Sequence, residues 1–246
     1  MTPFRHYVLF LFLLLLGTVT FGQTPATAPA TTQATSSTSA TAAVTPPTED
    51  HQFWNEFQLV KHTGAKTDLV FIGVLRIGRD WARPVDERVG IGYAFKLNKY
   101  LTVMPTYLHV EYQPYPTRII HEERLVLNVT GKASLGKFTF TDRNLIERRV
   151  RPSVKDFTVY RNRLQMDHPA HLGHFAFKPY VADEAWHSTQ TGANGDLGWF
   201  RNRISVGMIK QITEHLTGDF FVLYQSDGIT RPGNIPVVGT LFRYTL

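Results

Sequence analysis

Apolar and polar residues alternate with a period of two along most of the chain after residue 50. The clearest example is KFTFTDRNLIERRVR, residues 137–151, in which every second residue from Thr139 to Arg151 is polar or charged except Leu145. The residues between them supply most of the apolar side chains. Because successive side chains of a β-strand point to opposite sides, the segment is predicted to be a strand with one arginine-rich face.

Ten further segments show the same alternation between turn signals, and none carries a helical period of convincing length. None contains the run of about 18 apolar residues that a membrane-spanning helix needs. The predicted strands are 52–61, 68–79, 87–97, 100–112, 119–130, 137–150, 157–167, 174–187, 199–211, 216–226 and 236–246. Residues 51–246 are therefore expected to form one all-β domain.

The arginine-rich faces decide between two architectures. A soluble sandwich hides its apolar face, whereas a transmembrane barrel turns apolar residues to lipid and polar residues to its lumen. We predict an antiparallel transmembrane β-barrel of 10–12 strands with a polar, Arg/Glu-rich interior. Its candidate lumen charge network comprises Glu56, Arg76, Glu122, Arg124, Arg143, Glu147, Arg149, Arg161, Arg163, Glu184, Arg201 and Arg203.

Three further features favour the barrel over the soluble sandwich. Aromatic residues such as Tyr93, Tyr100, Phe138 and Phe175 stand near strand ends on the apolar face, as in interfacial girdles. Turns such as 97–100 are short, whereas 187–198 and other connections are predicted to be longer loops. The chain ends in VVGTLFRYTL, an amphipathic strand similar to the signal that outer-membrane assembly machinery binds, although that signal usually ends in phenylalanine. Eleven predicted strands leave an odd number, which bacterial barrels seldom have.

The first 50 residues are predicted to lie outside the barrel. Residues 1–22 have a basic start, an apolar run over 7–16 and small residues near Gly22, which is typical of a cleaved signal peptide. Residues 23–50 are rich in Thr, Ala and Pro and are predicted to be a disordered linker. The chain has no cysteine, so neither a disulfide nor a lipidated cysteine is expected. The expected location is the outer membrane of a Gram-negative-type bacterium.

Charge and candidate chemistry narrow the function only slightly. The formal net charge is +6, but arginines that alternate along strands do not form a nucleic-acid surface. An arginine-rich lumen favours anions, while paired Arg and Glu side chains could instead plug a narrow barrel.

The motif DHPAHLGH at 167–174 has metal-ligand residue types without a recognised spacing. His109 and Glu111 share a strand face as a base and an orienting acid, but no serine nucleophile accompanies them. We therefore assign no catalytic, metal or cofactor-binding residue.

A recurrent charge spacing resembles a known bacterial envelope family. It consists of E-x-R at Glu122 and Arg124, R-x-x-x-E-x-R from Arg143 to Arg149, and R-x-R at Arg161 and again at Arg201. The segment FWNEFQL at 53–59 and the pair Asp183 and Glu184 before Trp186 add to it. Over residues 52–246 the chain is similar to the family catalogued as domain of unknown function 2490. The resemblance implies an outer-membrane barrel and supplies no catalytic residues.

The sequence leaves three functions open. The first is an outer-membrane barrel of structural role or of passive passage for small solutes, including anions. The second is an outer-membrane lipid-modifying enzyme, and the third is a soluble periplasmic binding protein. The expected partners are outer-membrane lipid and, through the C-terminal strand, the assembly machinery; nucleic acid is not expected, and the oligomeric state stays open.

Overall fold

A computed structural model of the chain describes residues 47–115, 118–152, 154–192 and 195–246. The signal peptide predicted over 1–22 and the linker over 23–50, except its last four residues, lie outside the described residues and stay predictions. The strands are β1 (Gln52–Gly64), β2 (Thr67–Gly78), β3 (Arg83–Lys96), β4 (Leu101–Tyr115), β5 (Arg118–Leu135), β6 (Phe138–Arg151), β7 (Val154–Asp167), β8 (Ala170–Leu172), β9 (Phe175–Gly192), β10 (Gly195–Gln211), β11 (Leu216–Asp227) and β12 (Ile235–Thr245).

Eleven of these strands close into a barrel. Each pairs with its neighbour in the chain, β7 pairs with β9, and β12 returns to β1. The three-residue β8 pairs with β9 alone and forms a small hairpin that is not part of the ring. The eleven predicted strands correspond to the eleven of the ring, and the prediction of a 10–12-stranded barrel is confirmed.

The ring closes through a parallel pair, which the antiparallel prediction omitted. β1 and β12 run in the same direction, with Gln52 opposite Val237 and Val60 opposite Thr245. An odd number of alternating strands can close only in this way, because the first and last strands then point alike. The parallel pair removes the conflict over strand number and makes β1 a full member of the wall.

The parallel closure gives the barrel two distinct ends. The N-terminal rim contains the start of β1 and the segment 228–234 before β12. The C-terminal rim contains Leu246 and the turns at 65–66, 97–100, 136–137 and 212–215. The prediction of long loops at one end was largely wrong, because β9 and β10 extend through most of 187–198 and leave two residues between them.

The wall is polar inside and apolar outside. Glu147 is 1% exposed and Glu122 is 2% exposed, whereas Val89 and Leu125 on the outer face are 62% and 61% exposed. This is the reverse of a soluble sandwich and confirms the predicted polar interior. Tyr100 and Phe138, with the other aromatic residues predicted for a girdle, are exposed near the C-terminal rim. None of the described residues forms a helix long and apolar enough to cross a membrane.

Two small apolar clusters inside the barrel support the charged residues. Trp54 packs with Ile235 and Val237, and Phe221 lies against them. Gly239 makes this packing possible, because a Cβ there would come within 2.2 Å of the Phe221 ring. The second cluster joins Phe157, Val159 and Trp186. It sets the Trp186 ring at the centre of the charged interior.

Candidate functional site

Three glutamates form the centre of the lumen charge network. Strands β5, β6 and β9 contribute Glu122, Glu147 and Glu184, each inward-facing because of the period-two alternation. All three are buried and each is in contact with at least three arginines. We call these glutamates and the arginines paired with them the lumen layer. Its arginines are Arg124, Arg143, Arg149, Arg151, Arg161 and Arg203.

Glu147 accepts hydrogen bonds from two neighbouring strands. Arg149, two residues along β6, donates its Nε at 3.0 Å, and Arg161 of β7 donates Nη1 at 2.7 Å. Arg124 Nη1 of β5 lies 4.0 Å from the same carboxylate. A buried carboxylate with three guanidinium neighbours has its charge fully compensated.

Glu122 and Glu184 extend the layer to both sides. Glu122 accepts from Arg124 and Arg151, and Arg149 lies 3.9 Å away. Glu184 accepts from Arg161 at 2.7 Å and from two further arginines at 3.2 Å each. Those two are Arg143 and Arg203. Arg161 therefore bridges Glu147 and Glu184 across β6, β7 and β9.

Trp186 stacks against the arginines of this layer. Guanidinium carbons of Arg161, Arg203, Arg201 and Arg149 lie 4.0, 4.4, 4.9 and 5.6 Å from its ring centroid. The negative face of an indole attracts cations within about 6 Å. The ring therefore offers all four guanidinium groups a cation–π partner inside the barrel.

Asp86 and Asp227 also belong to the charged interior and were missed from sequence. Asp86 accepts from Arg88 at 2.6 and 2.5 Å and from Arg76 at 3.4 Å. Asp227 accepts from Arg201 at 2.8 Å. Asp86 could have been recognised from sequence, because Asp86-x-Arg88 repeats the acid-x-Arg spacing of Glu122-x-Arg124.

The remaining predicted residues lie at the edge of the network. Glu56 accepts from Gln58 at 2.5 Å, and Arg163 donates to Gln165 at 3.1 Å. Arg76 stacks on Trp54, with its guanidinium carbon 3.8 Å from the ring centroid. The structure thus places the predicted residues on the inner wall without joining all of them in one cluster.

A cavity of about 370 Å³ lies between the lumen layer and the N-terminal rim. Its wall carries seven arginines and two carboxylates, Asp86 and Glu122. Among the described residues, Arg76 Nε, Arg124 Nη1 and Trp186 Nε1 are buried donors without a hydrogen-bond acceptor. Buried polar groups ordinarily have partners. The arginines of the wall are Arg76, Arg88, Arg124, Arg149, Arg151, Arg201 and Arg203.

The lumen layer is tightly packed where it meets this cavity. Glu147, Glu122 and Gln225 are 1%, 2% and 2% exposed, and Arg203 is 3% exposed. Glu122 and Arg203 also line the cavity, so the layer forms part of the cavity wall.

The candidate metal and catalytic residues from sequence lie on the outer wall or at the C-terminal rim. In the DHPAHLGH motif, Asp167 is buried and His168 packs on Phe138, with ring centroids 5.0 Å apart. His109 and Glu111 face outward on β4, next to His121 and Glu123 of β5. We call these four residues the outer cluster. Three of them, His109, Glu111 and His121, place one ligand atom each within 4.8 Å of one another.

Comparisons with known proteins bear on the family and leave the role open. The family model described as "Protein of unknown function (DUF2490)" matches residues 51–232. Among solved structures, "LpxR from Salmonella typhimurium" is similar at 8% sequence identity with a TM-score of 0.45, covering 74% of this chain and 83% of that chain. The search of curated proteins finds no match.

Proposed function

Since the chain belongs to the DUF2490 family of proteins of unknown function, we propose a role from the site itself: an outer-membrane barrel that binds small anions in its lumen and forms no open pore. One observation carries the proposal: seven arginines line the cavity, and they outnumber the two carboxylates of its wall together with the three, Glu147, Glu184 and Asp227, that pair with wall arginines from outside it. Fixed positive charge in a confined, poorly hydrated space attracts anions. A phosphate-like oxyanion matches the fork of donors that each guanidinium presents.

The unpaired donors support binding at the cavity floor. Arg76 Nε, Arg124 Nη1 and Trp186 Nε1 are supplied by three different strands around the cavity. A bound oxyanion offers several acceptor oxygens and could satisfy more than one of them. Aromatic residues of the wall, including Trp54, Tyr112 and Phe157, also allow an anion with an apolar part.

Planar-bilayer recordings test the closed lumen. The unmodified protein should show no conductance steps over a wide voltage range, because the lumen layer blocks the path. A Trp186→Ala, Arg161→Ala double variant should conduct, since it removes the ring and one guanidinium at the centre of the layer. Its change of gel mobility on boiling would verify that it still folds. Steady single-channel conductance of the unmodified protein would refute the closed barrel.

Titration with inorganic phosphate and pyrophosphate, followed by tryptophan fluorescence, tests anion binding. Trp54 and Trp186 line the cavity and should report an occupant. Arg151→Gln should weaken binding by about tenfold or more, because one charge-assisted hydrogen bond contributes about 1.5–3 kcal/mol. Arg163→Gln is the matched control, a lumen arginine outside the cavity wall. Equal affinity in all three proteins, or no saturable binding, would count against the proposal.

Cysteine labelling in intact cells tests the membrane placement. We expect the N-terminal rim to face outward, because the C-terminal strand that the assembly machinery binds ends at the opposite rim. A membrane-impermeant maleimide should label Thr48→Cys in intact cells and Glu214→Cys only after the outer membrane is permeabilised. The native chain has no cysteine, so the maleimide can label only the introduced thiol. Labelling of both positions in intact cells would oppose a spanning barrel.

A lipid-modifying enzyme is the second candidate function. The outer cluster lies beside an apolar groove on the outer wall that Ile91, Tyr107, Leu125 and Ile146 help to line. Histidine and carboxylate next to an apolar groove could act on a lipid head group while an acyl chain lies in the groove. Lipid A and phospholipid profiles of a deletion strain, complemented with the unmodified gene or with His109→Ala, test this role. Identical profiles in all strains would exclude it.

A further inference from the structure

The outer cluster is assembled by the register of β4 and β5. His109 and Glu111 are two residues apart and share the outer face of β4. Across the ladder, His109 pairs with Glu123 and Glu111 pairs with His121. Directly opposite residues in an antiparallel pair bring their Cβ atoms to about 4.5–5.5 Å. The result is a two-by-two array in which each histidine faces a carboxylate across the strands.

The side chains of the array converge further than the backbone requires. His121 Nδ1 lies 3.3 Å from Glu111 Oε1, and His109 Nε2 lies 3.9 Å from the same oxygen. The two imidazole rings are nearly parallel, with centroids 6.2 Å apart and an interplanar angle of 26°. Ligands of a tetrahedral zinc ion, bound at about 2.0–2.2 Å, are separated by about 3.3 Å. Small rotations of these side chains would bring all three atoms to that separation.

His109 also has the supporting contact that metal-binding histidines usually have. Its Nδ1 lies 2.7 Å from Glu123 Oε1, and the Tyr107 hydroxyl donates to Glu123 Oε2 at 2.5 Å. A carboxylate on one ring nitrogen holds the proton there and leaves the other nitrogen free as a ligand. The chain from Tyr107 through Glu123 thus directs His109 Nε2 toward Glu111 and His121.

We propose that His109, Glu111 and His121 bind one Zn²⁺ ion on the outer wall of the barrel, with Glu123 as a positioning residue. Two imidazoles and one carboxylate suit zinc better than calcium or magnesium, which prefer oxygen ligands. Three protein ligands leave a fourth position for water or for an anionic group at the membrane surface. The site does not depend on anion binding in the lumen.

The position of the site on the wall fits a ligand from the interface. Tyr107 and Leu125, the next outward residues toward the C-terminal rim, are 43% and 61% exposed and begin the apolar surface. On the other side, β4 and β5 end within a few residues at the N-terminal rim. The fourth coordination position therefore lies where lipid head groups meet water.

Zinc titration of the full barrel, extracted in detergent without a histidine tag and first stripped with a chelator, tests the site. Isothermal titration calorimetry should show one Zn²⁺ per chain. His109→Ala and His121→Ala should each lower the affinity by about 100-fold, and Glu123→Gln by about 10- to 100-fold. Co²⁺ in place of Zn²⁺ should give visible absorption bands of four-coordinate geometry that both alanine variants lack.

Matched controls use the histidines of the C-terminal rim. His168→Ala and His171→Ala should bind one Zn²⁺ with unchanged affinity, because neither residue belongs to the outer cluster. All variants should keep the heat-dependent gel mobility of a folded barrel, since the altered side chains lie on the surface. The proposal fails if the unmodified chain binds no stoichiometric Zn²⁺, or if His109→Ala and His121→Ala bind as tightly as the unmodified chain.

Discussion

The lumen layer and the outer cluster use carboxylates in opposite ways. Inside, Glu147 faces three arginines, whose guanidinium groups donate hydrogen bonds and cannot ligate a metal. Outside, Glu111 faces His109 and His121, whose imidazole nitrogens are able to ligate a metal. The same acidic side chain is therefore part of a closed structural network in one place and of an open site in the other.

Burial explains why the two regions differ in this way. A carboxylate removed from water needs a permanent counter-charge and several hydrogen bonds, which guanidinium groups supply. The side chains of Glu111 and Glu123 are 42% and 44% exposed, so water can solvate them without an ion pair. The lumen layer should therefore control the stability of the barrel, while the outer cluster should affect stability only through a bound ligand.

The largest expected difference between the two regions is in how much stability the barrel loses when one glutamate of each region is replaced by glutamine. Glu147→Gln leaves three buried guanidinium groups undercompensated and should lower the free energy of unfolding by about 3–5 kcal/mol. Glu111→Gln, the same change at an exposed position, should alter it by less than about 0.5 kcal/mol. Urea unfolding of the barrel in detergent or lipid, followed by tryptophan fluorescence, measures both. Equal losses of unfolding free energy in the two variants would contradict the proposed difference between the lumen layer and the outer cluster.

The sequence reveals the inner region better than the outer one. Alternation with period two is enough to assign Glu147, Arg149 and Arg161 to one face, because each side chain's direction depends only on its own strand. It does not specify which carboxylate meets which arginine. The acid-x-Arg spacing at Asp86 could have added that residue to the predicted network.

The outer cluster and the parallel closure both depend on pairing between segments. His109 and Glu111 share a face on one strand and could be related from sequence. Their partners His121 and Glu123 could not be related to them without the register of β4 and β5. The pairing of β1 with β12 is similar, because a strand's own pattern does not reveal the direction of its neighbour.

Zinc should stabilise the barrel through the outer cluster alone. At a free Zn²⁺ concentration of 100 times the dissociation constant, a ligand that binds only the folded state adds about 2.7 kcal/mol to the free energy of unfolding. His121→Ala, whose zinc affinity should be about 100-fold lower, should reduce this gain to about 0.4 kcal/mol at the same Zn²⁺ concentration. It should change the metal-free stability by less than about 1 kcal/mol. Unfolding curves with Zn²⁺ and with a chelator measure both quantities. An equal gain in the variant would assign the effect to another site.

The smallest expected effect on zinc affinity concerns the hydroxyl of Tyr107, which reaches the proposed ligand His109 only through two successive hydrogen bonds, by way of Glu123. Tyr107→Phe removes the hydrogen bond to Glu123 Oε2 and keeps the ring, so the fold and the apolar surface should be unchanged. A hydrogen bond to a charged carboxylate contributes about 1.5–3 kcal/mol, and only part of this loss would reach His109 through Glu123, so zinc affinity should fall about three- to tenfold. Tyr93→Phe, another exposed tyrosine of the wall, is the control and should leave the affinity unchanged. If Tyr107→Phe bound zinc as tightly as the unmodified chain, Glu123 would position His109 without help from the hydroxyl, and the supporting network would end at the carboxylate.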